Sequence, residues 1–152
     1  MLVRILVAGF VGAIVSFFLG WLIWGMLLAG YFASTMSPTA KNFISEQPRF
    51  IPLIVAQLGF GFFYAFVFER WAGVRSLTSG IFAGAVIGFF FAFVSNLMND
   101  AFIINLHVGA NTPPMLVDIA AGTVAGAVIG AAEGLVLGMM SKGGGSSTEA
   151  AA

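Results

Sequence analysis

Four stretches of this chain are almost free of charge and run on for at least the length of a bilayer crossing: Ile5–Phe32, Ile51–Phe68, Leu77–Ile104 and Met115–Met140. A helix rises ~1.5 Å per residue, so ~20 residues cross a ~30 Å hydrocarbon core. In lipid each backbone N–H and C=O must be satisfied within the protein, and a continuous apolar run does that as an α-helix. The predicted fold is all-α: a polytopic membrane protein with four transmembrane helices in an antiparallel bundle over residues 1–142, then a flexible tail over 143–152. Only 8% of the residues are charged, against ~25% in soluble domains, which is too little to clothe a water-soluble globule.

The remaining composition narrows function by exclusion. Six basic and six acidic residues cancel, so no basic patch offers itself to nucleic acid or anionic lipid. The chain has no cysteine, hence no disulfide and no thiolate nucleophile or metal ligand. No G-x-S-x-G elbow or H-E-x-x-H pair occurs, and Ser16 and Ser95 lie in spans without an identifiable base, so an enzyme is not expected. His107, the single histidine, falls short of the three or four protein ligands of a zinc site even with two aspartates nearby; no metal or cofactor is expected. The first apolar run outlasts the ~7–15 residues of a signal-peptide core and shows no convincing small-residue cleavage site, so it reads as a retained first span.

Local signals set the ends. Pro52 and Pro113-Pro114 suit first helical turns, with Asn111 or Thr112 as a cap before the fourth span. Ser37-Pro38 suits a short helix in the long loop, with Phe43 and Ile44 on the membrane surface. Arg4, Arg70, Arg75 and Lys142 fall on one side of a four-span topology, Lys41 and Arg49 on the other. That bias predicts cytoplasmic N- and C-termini. Trp21, Trp24 and Tyr31 then lie toward the outer interface and Trp71 at the inner one.

Small residues recur at four-residue spacing in the last two spans. The third carries Gly80, Gly84, Gly88 and Ala92, continued by Asn96 and Asp100; the fourth carries Asp118, Gly122, Gly126, Gly130, Gly134 and Gly138. An interior glycine costs ~1 kcal/mol against alanine in a soluble helix, but in a membrane it lets a second backbone approach closely. The step of four overshoots the helical turn by ~40°, so the glycine row winds around its helix. It either crosses its partner steeply within one bundle or serves two partners, one of them a neighbouring subunit. The hexapeptide AGAVIG occurs in both rows, at Ala83–Gly88 and Ala125–Gly130, which low complexity explains without duplication.

Polar side chains inside apolar spans are the other candidates. Asp100, Asp118, Asn96 and Asn99 fall toward the outer end, with Gln57 and Tyr64 along one face of the second span. They form either an outward-facing cation or proton vestibule or a set of structural ties in which the acids pair with Lys41 and Arg49. Asp118, placed in a first helical turn, suits the helix dipole; Asp100, near a C-terminus, does not. Glu133 lies deeper, fifteen residues past Asp118, where a carboxyl must be protonated, paired or hydrated. Arg4 and Ser16 are its candidate partners, and it reads equally as a proton relay or as a neutral group tying helices together.

The segments GWLIWGMLLAGYF at Gly20–Phe32, FERWAG at Phe68–Gly73 and VDIAAGTVAGAVIGA at Val117–Ala131 resemble small four-helix bacterial membrane proteins of unassigned activity. The resemblance implies a fold and an inner-membrane location, and no catalytic residue. Two functions follow as expectations. One is a protein acting by helix packing in the lipid bilayer, as a homo-oligomer or an accessory subunit of a membrane complex. The other is a small channel or a proton- or cation-coupled transporter using Asp100, Asp118, Asn96 and Glu133.

Overall fold

The computed structural model describes residues 1–42, 47–103 and 106–142, with the side chain of Lys142 excepted. Four of its helices are long and apolar enough to cross a membrane, spanning Leu2–Leu27, Phe50–Ala72, Leu77–Phe102 and Thr112–Ser141. They mark a membrane protein. Phe43, Ile44, Ile104 and the tail from Gly143 lie outside the described residues.

The first span is not one uniform helix. Helix α1 covers Leu2–Gly20, and the chain then winds more widely as a π-helix over Trp21–Leu27. The Leu28 N–H closes that segment on the Ile23 carbonyl at 2.8 Å. A short α2 follows at Ala29–Thr35, so the run predicted to continue to Phe32 is interrupted. Helix α3, Pro38–Lys41, begins where Ser37 was expected to open it: the Ser37 hydroxyl accepts the Ala40 N–H at 3.1 Å.

Helix α4, Phe50–Val67, also ends in a π-helical turn, Phe68–Ala72. Gly73 stops it with φ of 60°, a left-handed conformation that glycine adopts without a Cβ penalty. Helix α5, Leu77–Phe102, opens with a reciprocal cap in which Ser76 and Ser79 each accept the other's backbone N–H at 3.2 Å. Helix α6, Thr112–Lys142, starts three residues earlier than predicted, with both prolines in its first turn. Asp118 therefore falls in the second turn, a weaker position for the helix dipole than the sequence suggested.

Burial is inverted relative to a soluble protein. Phe82, Phe90, Ile51 and Leu116 are exposed, whereas the interior of α1 is lined by Ala8, Gly9, Gly12, Ala13 and Ser16. Large apolar side chains on the outside suit lipid, and small ones inside let backbones meet. A methyl placed on Gly61 of α4 would stand 2.9 Å from the Ala13 Cα of α1, and one on Gly9 would stand 3.1 Å from the Phe62 Cα. The α5 and α6 glycines face one another: Gly80 lies against Gly130 and Gly134, Gly84 against Gly126 and Gly130, and Gly88 against Gly122 and Gly126. The two AGAVIG copies thus meet directly. Gly122 also faces Ala92, and Gly138 faces the Arg75 backbone. Tyr64, Phe68, Leu137 and Ala8 fill the centre.

Candidate functional site

The π-helical turn after α1 presents Trp24 to α6. Its indole Nε1 donates to Asp118 Oδ1 at 2.6 Å. From α5, Asn96 Nδ2 donates to the other carboxylate oxygen, also at 2.6 Å. Asn96 is steadied from its own helix, since the same amide donates to the Ala92 carbonyl at 2.9 Å. Asp118 is thus held by two neutral N–H donors. Among the described residues no ion pair joins Asp118 or Asp100 to Lys41 or Arg49; helix residues bond Asp118 in place of the expected loop cations, and a loop amide bonds Asp100.

Asp118 lines a half-open cavity of about 350 Å³ to which all four spans contribute. Ser16 and Gln57 face it, with the serine hydroxyl donating to the Gln57 carbonyl oxygen. Tyr64 and Phe60 form its α4 wall. The Tyr64 hydroxyl donates to the Gly84 carbonyl at 3.3 Å, and Phe60 meets Phe91 edge to face with centroids 4.7 Å apart, tying α4 to α5. Gly20, Gly88, Gly122 and Gly126 leave the space open, because none projects a side chain into it.

The four predicted site residues do not form one cluster. Asn96 and Asp118 come together. Asp100 stands at the exposed end of α5, where Asn111 Nδ2 donates to it at 2.6 Å. The carbonyl of the same amide accepts the His107 N–H at 3.3 Å, so Asn111 fastens the loop to α5 rather than capping α6 with its side chain. That loop pairs with the end of α2: Val108 N–H donates to the Thr35 carbonyl at 2.7 Å and Ser37 N–H to the Leu106 carbonyl at 3.1 Å. Among the described residues, no three His, Cys, Asp or Glu side chains gather closely enough to hold a metal ion.

Glu133 is remote from Asp118 along α6, by ~22 Å for fifteen residues. It is fully buried, and among the described residues neither carboxyl oxygen has a hydrogen-bond partner. Gly12 makes the room: a methyl there would stand 2.7 Å from the Glu133 Cδ. The partners expected for it are engaged elsewhere, Ser16 with Gln57 and Arg4 with Glu69.

Glu69 is the charged residue that sequence reasoning passed over. Its side chain is buried and pairs with Arg75 at 2.7 Å and, more loosely, with Arg4 at 3.7 Å. Arg75 also donates to the carbonyls of Val74 at 2.7 Å and Phe68 at 3.4 Å, covering groups left open where the α4 span ends. An acid followed by two arginines, Arg70 and Arg75, at a span boundary was the available signal.

No protein-family model matches the chain, and no curated protein or solved structure shows significant similarity to it.

Proposed function

We propose that this chain is a small channel or ion-coupled transporter that binds a proton or small cation at Asp118. One observation carries the proposal: a carboxylate within a membrane span faces a four-helix cavity and, among the described residues, is held by neutral donors. Trp24 and Asn96 orient the charge without cancelling it, and ionisable groups inside spans mark ion pathways by default. With ~30 Å³ per water molecule, the cavity admits a cation with part of its hydration shell.

In the same proposal α5 and α6 run antiparallel and join along a glycine ridge. The opposed numbering of the facing glycines supports this, since Gly80 meets Gly130 and Gly134 while Gly88 meets Gly122 and Gly126. The N- and C-termini face the cytoplasm of a bacterial inner membrane, supported by Arg4, Arg70, Arg75 and Lys142 on that side and by the Arg4 and Arg75 contacts to Glu69 at one end of the bundle. Assembly of a second copy or another subunit on the glycine rows draws less support, because the chain's own helices occupy them.

The test is ion flux into liposomes carrying the purified protein, under a proton gradient and then under sodium and potassium gradients. Wild type should exceed empty vesicles for one of these ions, and Asp118→Asn should remove most of the excess. Flux no greater than in empty vesicles, or equal in the variant, refutes the proposal.

A further inference from the structure

The floor of the cavity is set by Ser16 on α1 and Ile129 on α6. One turn further along each helix stand Gly12 and Glu133, so the Glu133 backbone lies ~6 Å beyond Ile129 along α6. It fills the space that Gly12 leaves, with no exposed surface and no hydrogen bond to either oxygen. The groups around it supply no counter-charge. From α1 the facing residue is Gly12, while Arg4 is taken by Glu69 and Ser16 by Gln57. From α4 the ionisable group near enough to sense Glu133 is Tyr64, which donates its own proton to the Gly84 carbonyl. The sole acid on α5, Asp100, is at the far end, bonded to Asn111.

An ionised carboxylate in such a place would be both desolvated and unpaired, the costliest state a side chain can take. A carboxylic acid is uncharged and stays. We infer that Glu133 is a proton-binding site which exchanges its proton with the cavity above it, so that the cation handled at Asp118 is H⁺. The inference deepens the proposed function and rests on it for the route, though not for the protonation of Glu133. The exchange balances simply: the carboxyl releases H⁺ to water that enters past Ser16 and takes one back, and that same water has to solvate the oxygens while the proton is away.

Dicyclohexylcarbodiimide tests the site directly. This apolar reagent takes the proton of a buried carboxylic acid onto nitrogen while the carboxylate adds to its central carbon, leaving an adduct that mass spectrometry locates. In the intact protein in mild detergent, Glu133 should be labelled at pH 6 and several-fold less at pH 9, with sodium and potassium giving no protection. Absence of label at Glu133, or label indifferent to pH, overturns the inference. In liposomes, Glu133→Gln should reduce proton flux to the level of Asp118→Asn. Flux that falls in Asp118→Asn yet stays at the wild-type rate in Glu133→Gln also overturns it. Wild type without flux but with pH-dependent label would remove the transport function and leave the proton site standing.

Discussion

Gly84→Ala is the smallest change that challenges the contact between α5 and α6. A methyl on Gly84 would stand 2.8 Å from the Gly130 Cα, and one on Gly130 would stand 2.8 Å from the Gly84 Cα. Unbonded carbons rest at ~3.5–4.0 Å, so the two backbones must part by roughly 1 Å at this level. Forcing one methylene-sized group into a packed interior costs ~1–3 kcal/mol. The contact one turn away loosens as well, since Gly88 lies against Gly126. The double variant Gly84→Ala, Gly130→Ala should cost less than the sum of the singles, because the first separation makes room for the second methyl. Gly59→Ala is the control: it too lies within a span, and nothing stands within 4 Å of the position its methyl would take. Unfolding in mixed detergent, followed by tryptophan fluorescence, supplies the free energies. Gly84→Ala unfolding at the wild-type midpoint, or Gly59→Ala losing as much, would show that the glycines do not set the helix separation.

Two further substitutions separate the polar contacts. Trp24→Phe keeps a ring in the π-helical turn and removes the donor to Asp118; it should cost ~1.5–3 kcal/mol, the range for a hydrogen bond to a charged group, in the same unfolding assay. Arg75→Met should destabilise by ~1–3 kcal/mol because Glu69 loses its near partner and three carbonyls lose a donor. Arg4→Met, whose contact is 3.7 Å and partly exposed, should cost no more than ~1 kcal/mol; equal losses would refute the unequal roles assigned to these arginines.

The sequence displayed the spans because lipid imposes one rule along their whole length: continuous apolarity. The α5 and α6 glycines were legible for a related reason, a single residue type repeated at a fixed interval. The lining of α1 was less visible. Its contact surface mixes alanine, glycine and serine at Ala8, Gly9, Gly12, Ala13 and Ser16, so no one letter recurs. The partners of Asp118 were hidden by distance, since Trp24 lies 94 residues away in the chain and reaches the carboxylate from a π-helical turn. Winding of that kind reflects packing of the assembled helices more than any local residue preference. The pairing expected from Lys41 and Arg49 followed charge alone, whereas neutral N–H donors had already satisfied the acid. Arg4 was expected beside Glu133, but it pairs with Glu69 instead.

The glycine contacts have a mechanical consequence. Helices α5 and α6 meet through the backbones of Gly80, Gly84 and Gly88 and, one turn on, the Ala92 methyl, so a shift of one against the other has to part backbones rather than turn side chains. Helices α1 and α4 touch backbone to backbone at Gly61, but the Phe62 ring stands over Gly9, so that contact keeps a side chain that can adjust.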